Sequence, residues 1–310
     1  MPSSTPASST VSLRTPWQTA AGTAAVSEVG RVRGRSADRG LLRNRGAAVG
    51  AVVLILLLGI TIAAPMLTSY DPIEQSLRER LEPPSQLHPL GTDNFGRDIL
   101  SRILYGARIS LRVGFVSVGI AAAIGLTLGL TAGYYGGRVD DVVMRLMDVL
   151  LAFPGILLAL LVVAVLGSSL TNLMIAVGVG NIPPFTRLVR GSVLAARGNV
   201  YVEAARVLGC RDRRIMWRHI LPNIAAPLIV FATLGVAGAI LTGAALSFLG
   251  LGVQPPEPEW GIMLAEGRGY LRGYWWVATF PGFAIVLATL AINMLGDGLR
   301  DAFDPRLRRS

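Results

Sequence analysis

The sequence predicts an all-α, polytopic integral membrane protein with six transmembrane helices, and three observations lead there. Of 310 residues, 52% are hydrophobic and only 15% charged, a balance too apolar for an ordinary water-soluble domain. Uncharged stretches long enough to cross about 30 Å of hydrocarbon, which takes about 20 helical residues, recur along the chain. The basic residues sit between those stretches, where they set orientation.

The first span is read at 46–70, around the run Val52-Val53-Leu54-Ile55-Leu56-Leu57-Leu58. The second, 113–137, carries Gly125, Gly129 and Gly133 at four-residue spacing, which puts three glycines on one face where a neighbouring helix approaches closely. Residues 149–186 hold no charge. That length is too great for one helix and fits two spans, the third and fourth, joined by the polar turn at 167–172. The fifth lies within 220–254 and the sixth within 273–296. With both termini cytoplasmic, the inside segments hold 21 of the 29 basic residues and the outside loops 7, with Arg112 at a membrane edge. This bias sets the topology and accounts for the net charge of +10 without a nucleic-acid partner. Residues 1–45, rich in Ser, Thr, Pro and Ala, bury too little surface to fold and read as a disordered cytoplasmic tail, not a cleaved leader. Residues 46–310 then form the membrane domain, with outer loops at about 68–111 and 251–275 and a cytoplasmic loop at about 187–222.

Composition also excludes chemistry. Every basic residue is arginine, so the chain has no phosphate-loop lysine and no Schiff-base lysine. One cysteine, Cys210, and two histidines, His88 and His219, leave no metal site and no internal disulfide. No ionisable residue falls in the middle of a predicted span, which argues against an ion-coupled carrier. No nucleophile–base pair or carboxylate pair is assembled, so no catalytic residue is named and any energy for uphill movement must come from another subunit. The polar residues left in the spans, such as Thr127, Asn172 and Thr242, read as interhelical hydrogen-bonding groups.

The segment 187–222 reads as an elbow of two short helices. Asn199 is placed to cap a first arm over 200–208, and Gly209 to end it in a left-handed conformation. Asp212 is placed to cap a second arm that stops before Pro222. The first arm presents Glu203, Ala204 and Ala205, a small-residue face beside a carboxylate that suits a groove on another protein.

Glu203-Ala204-Ala205, Gly209 and Leu221-Pro222 together resemble the EAA loop of the membrane subunits of bacterial ABC importers. His219 stands where that family usually has Ile. The resemblance continues through Gly91-Thr92-Asp93, Gly96-Arg97-Asp98, Leu246 to Gly252, Trp260-Gly261 and Asn293 to Pro305. These blocks are similar to the C-type permease subunit of dipeptide and oligopeptide importers, over about residues 46–310. The resemblance implies a type I ABC importer permease in a cell membrane, forming half of a translocation pathway with a second, B-type permease subunit. It further implies two ATP-binding subunits that use ATP and Mg, an extracytoplasmic substrate-binding protein and a peptide substrate, with no cofactor or metal in this chain. On the same basis the EAA loop couples this chain to the ATPase, and Gly91, Asp93, Arg97 and Asp98 form a docking site for the binding protein. Nickel or another small solute, an ion-coupled carrier and a membrane enzyme are the alternative readings.

Two further segments stand apart. Residues 138–150 form an amphipathic helix with Asp141 and Arg145 spaced to pair, read as interfacial or packing, with a second ATPase contact as the alternative. Tyr274, Trp275 and Trp276 read as an interfacial aromatic belt, and His88 as a plain loop residue.

Overall fold

The computed structural model describes residues 45–303. Apart from Arg45, the tail read at 1–45 lies outside them, as do Arg306, Arg308 and Arg309. Among the described residues the chain is helical, with one isolated bridge between Thr92 and Asp98. Its main helices are α1 (Arg45–Leu67), α2 (Ile99–Tyr135), α3 (Gly137–Leu151), α4 (Gly155–Leu166), α5 (Leu170–Arg197), α6 (Val200–Val207), α7 (Leu221–Phe248), α8 (Trp260–Gly267) and α9 (Trp276–Phe303).

Among the described residues, four helices are long and apolar enough to cross a membrane, five if α3 and α4 count as one broken span, so the count of six is not reached on that test. The shortfall lies in the third and fourth spans. The chain breaks between α3 and α4 at an angle of 87°; Pro154, with ψ 133°, stands outside the helical region as the N-cap from which α4 begins afresh. The continuous third span expected from residue 149 is therefore absent. The 12 residues of α4 reach about 18 Å, short of the hydrocarbon thickness. α5 is 28 residues long but carries Asn172, Asn181, Pro183, Pro184 and three arginines.

Packing centres on α2 against α5, where the glycine spacing predicts a seam. A Cβ on Gly125 would lie 3.1 Å from Phe185, one on Gly129 2.6 Å from Val189, and one on Gly133 2.8 Å from Val193. The three glycines thus let two long helices touch at their backbones. Ser117 donates across this seam to the Met174 carbonyl at 3.0 Å. Thr127 and Thr242, expected to bond between helices, instead bond to carbonyls of their own helices, Ala123 and Gly238. α9 closes the bundle against α1 and α7. In α1, Pro65 has no N–H to offer the Thr61 carbonyl, and the Arg108 guanidinium supplies the missing donor at 3.1 Å.

The amphipathic helix exists as α3, but its ion pairs run to α5. Arg190 donates to Asp140 at 2.6 Å and Arg187 pairs with Asp148, while the expected Asp141–Arg145 pair is not among the ion pairs of the described residues. Met147 is buried, whereas Val142, Leu146 and Val149 are exposed, as an apolar face turned to a membrane or another subunit would be.

Candidate functional site

Two assemblies of functional interest lie at opposite ends of the long helices. The first is the elbow. α6 begins after Asn199, whose extended backbone makes it the N-cap, but its side-chain amide donates backwards to the Ala196 carbonyl at 2.9 Å and closes α5. The arm ends at Gly209, φ 73°, where Gly209 N–H reaches the Arg206 carbonyl and Cys210 N–H the Ala205 carbonyl. These two bonds form the left-handed helix stop that Gly209 predicts.

The second arm departs from expectation. A helical turn at Asp212–Arg214 continues through a π-helical stretch, Ile215–Ile220, directly into α7, giving one helix from Asp212 to Phe248 that passes through Pro222. A proline presses on the carbonyl four residues before it. The widened turn, in which Leu221 N–H reaches the Met216 carbonyl five residues back, moves that carbonyl aside. Asp212 makes no cap. It accepts a 2.7 Å hydrogen bond from the Tyr134 hydroxyl at the end of α2, and the Arg206 guanidinium lies 5.2 Å over the same ring. Tyr134 therefore ties both arms of the elbow to α2.

The predicted surface residues divide. Glu203 and Ala204 are exposed, but Ala205 is buried with Val202, packed among Val193, Ile215 and Ile220. Leu221 is half-buried and Pro222 exposed in the first turn of α7. Val207 and Leu208, not singled out from the sequence, are 87% and 81% exposed beside Glu203. Two such side chains on a turn a few residues long are the missed signal. The outer surface of the arm is thus largely apolar, with Glu203 and Arg206 as its exposed charges, a composition suited to a complementary groove.

The second assembly is a cap built from the loop before α2, the start of α2, and α8. Here the structure corrects the docking expectation. Asp93, Arg97 and Asp98 are 4%, 1% and 3% exposed and Gly91 is buried, so none of these four residues lies open on the surface. Arg97 Nε donates to Asp93 at 2.6 Å and its Nη2 to Glu266 at 2.8 Å. Arg102, 1% exposed, reaches the same Glu266 oxygen at 3.2 Å and the Pro72 carbonyl at 3.0 Å. Two guanidinium groups and two carboxylates thus neutralise one another inside the cap, as buried charges must. Asp98 caps α2 through Ser101 N–H at 2.7 Å and holds the buried His88 ring at 2.9 Å, so His88 is part of the frame. Gly91 is forced by space, since a Cβ there would meet the Glu82 carbonyl at 2.6 Å and the Trp276 ring at 2.8 Å.

Trp276 is likewise buried, donating to the Thr92 carbonyl at 3.3 Å, while Tyr274 and Trp275 remain exposed as interfacial rings would be. Glu259, missed by sequence reading, caps α8 by accepting from Gly261 and Ile262 N–H at 2.9 and 3.0 Å. Burial pushes its carboxyl above the usual glutamate range, against the pull of those backbone donors. No group of metal-ligating side chains occurs among the described residues.

The family described as "binding-protein-dependent transport system inner membrane component" matches residues 125–309. A second, "N-terminal TM domain of oligopeptide transport permease C", matches residues 34–84. The chain is 50% identical to the dipeptide transport system permease protein DppC of Alkalihalophilus pseudofirmus, over 88% of this chain and 90% of that one. It is 47% identical to the glutathione transport system permease protein GsiD of Pectobacterium atrosepticum, over 96% of this chain and 93% of that one. Among solved structures, the MetNI methionine ABC transporter in an inward-facing conformation matches with a TM-score of 0.53 at 21% identity, over 66% of this chain and 98% of that one.

Proposed function

The chain belongs to the binding-protein-dependent transport system inner membrane components, the permease subunits of ABC transporters, and on that premise we propose that it forms half of the translocation pathway of an ATP-driven importer of dipeptides or short oligopeptides. The peptide substrate is supported by relatives named for dipeptide and di/tripeptide transport; a tripeptide such as glutathione fits the same reading. The chain itself carries no ATP site: hydrolysis of MgATP falls to two partner ATP-binding subunits. A second permease subunit completes the pathway, and the elbow side, with both termini, is cytoplasmic.

The observation that carries the coupling role is the elbow. An exposed arm with Glu203 at its centre and Val207 and Leu208 at its end is fixed by Gly209 and by Tyr134 to the long helix α2. Movement of a partner gripping this arm passes to α2 as a rigid displacement, which the close α2–α5 seam carries onward. At the other end, an extracytoplasmic substrate-binding protein meets the loop that Gly91, Asp93, Arg97 and Asp98 shape from within, through its exposed Leu77, Leu87 and Phe95.

The test is the assembled complex in proteoliposomes. Glu203→Arg, on the exposed face, and Gly209→Val, which forces a β-branched residue into a left-handed conformation, should abolish peptide-stimulated ATP hydrolysis and uptake while leaving this chain in the membrane. Unchanged transport in both variants removes the coupling role.

A further inference from the structure

The middle of α5 leaves backbone groups unpaired where a membrane helix ordinarily satisfies them. Pro183 and Pro184 have no N–H, so the carbonyls four residues back, Val179 and Gly180, lose their helical donors. Among the described residues, no side chain and no other element donates to either one. Beside them the Asn181 amide spends its Nδ2 on the Val177 carbonyl at 2.8 Å, which leaves its oxygen as a third acceptor. Three acceptors without donors thus follow one another along the chain.

Depth and direction decide what they meet. A Cβ on Gly178 would lie 3.1 Å from Ile120, and one on Gly125 3.1 Å from Phe185, so Gly180 and Asn181 stand level with the α2 residues between Ile120 and Gly125. That level is about ten residues, roughly 15 Å, from Arg112, which is half of a hydrocarbon layer of about 30 Å. The charge-free part of α2 continues for about another 20 Å to Tyr135. At such a depth an unpaired carbonyl does not face lipid; it is enclosed by protein or lines a water-filled cavity. At about 100° per residue, Gly180 points away from the seam that Gly178, Phe185 and Val189 make with α2, and shares its face with Pro184 and Gly191. That face is thinly covered: a Cβ on Gly180 would find only the Gly155 carbonyl, at 3.6 Å, and one on Gly191 nothing within 4 Å.

No ionisable side chain lies in the middle of a predicted span, so a zwitterionic cargo must be met there by neutral dipoles. Three acceptors without a donor match an ammonium group, which has three donors and no acceptor. We propose that Val179, Gly180 and Asn181 form a mid-membrane station on a water-filled pathway, where two backbone carbonyls and one amide oxygen hold the α-ammonium group of the passing peptide. The prolines create the station by withholding N–H groups, and uncharged acceptors hold the cargo weakly enough to let it leave. The inference rests on the peptide reading above for its cargo and on depth for its water.

The experiment uses the chain purified with its native partner subunits in nanodiscs, carrying Cys210→Ser and Gly180→Cys. The 3.6 Å gap at Gly180 accepts a side chain, and all three acceptors remain. Modification by a charged, water-soluble methanethiosulfonate reagent is followed on this chain by mass spectrometry, without nucleotide and with a non-hydrolysable ATP analogue. Gly180→Cys should react in at least one of these two states, and trialanine should slow the reaction severalfold where N-acetyl-trialanine does not. That difference should vanish on adding Pro184→Ala, which returns an N–H to the Gly180 carbonyl and favours a regular helix, or Asn181→Leu. Absence of reaction in both states puts the face against lipid or a partner subunit and overturns the site. Equal rates with the two peptides, or a difference that survives either substitution, overturn the ammonium role. Uptake of trialanine by the wild-type complex is measured alongside. A complex that imports trialanine but fails the labelling tests sinks this inference and spares the transport reading, whereas reaction at Gly180→Cys with no peptide import removes the peptide from both.

Discussion

Arg97 and Arg213 carry the same charge at opposite ends of one molecule and live in opposite conditions. Arg97 is 1% exposed between Asp93 and Glu266, and its neighbour Arg102 repeats the arrangement. Arg213 is exposed, as are Arg211, Arg214 and Arg218, and none of the four forms an ion pair among the described residues. In the cap, charge is consumed internally to fold a loop onto α2 and α8. At the elbow, charge is left unspent, and the elbow is fixed by the apolar packing of Val202, Ala205, Ile215 and Ile220 together with one tyrosine. A surface whose charges are already satisfied presents shape, whereas a surface with free cations waits for anions to complete it.

The largest expected effect breaks the cap. Arg97→Met leaves Asp93 and Glu266 short of a partner in a buried site, which should lower stability by about 3–5 kcal/mol, seen as a collapse of the thermal midpoint in detergent; a wild-type midpoint would refute the cap's dependence on paired charge. Next, Glu259→Ala removes the cap of α8 and should lower stability by about 1–2 kcal/mol. Because burial raises the Glu259 carboxyl above its unfolded value, the folded chain holds that proton to higher pH. Stability is then greatest below the ordinary glutamate range and falls as pH rises towards the raised value, where it levels off. Glu259→Gln should flatten that slope in melts recorded between pH 4 and pH 8, a window chosen around ordinary carboxylate titration.

Smaller again, Tyr134→Phe deletes one hydrogen bond and keeps the ring, at about 1 kcal/mol. It should raise the ATP hydrolysed per peptide imported, because the elbow loses its tie to α2. An unchanged ratio would show that Tyr134 only packs. The smallest effect is Arg213→Gln, which should shift the thermal midpoint within the roughly ±0.5 kcal/mol of surface substitutions. A large loss there would erase the contrast between the two ends.

Much of this was legible in the residues. Glycines four apart announced a backbone contact because small size at helical spacing has few other uses, and Gly209 announced a left-handed stop for the same local reason. The docking residues misled because Asp93, Arg97 and Asp98 are close in sequence, and charges in a loop read as solvated. Their decisive partners are distant: Glu266 lies 169 residues from Arg97, and pairing at that separation has no local signature. Pro222 misled in the other direction. A proline reads as the end of a helix, and nothing in Ile215–Ile220 advertises that a wider turn carries the chain past it. Pro154, with no such accommodation before it, did break its helix and cost the third span its continuity.

That wider turn has a consequence for how the protein tolerates change in length. A π-helical step holds one residue more than an α-helical path needs, and each residue of an α-helix turns the chain by about 100°. Removing any one residue between Ile215 and Ile220 would restore regular winding over the same path, leaving Glu203, Val207 and Leu208 pointing much as before while returning the Pro222 ring to the carbonyl four residues back. The extra residue therefore makes room for a proline and does not aim the arm, so a single-codon deletion there should lower stability by about 3 kcal/mol, the cost of a proline inside a regular helix, while changing the direction of engagement little.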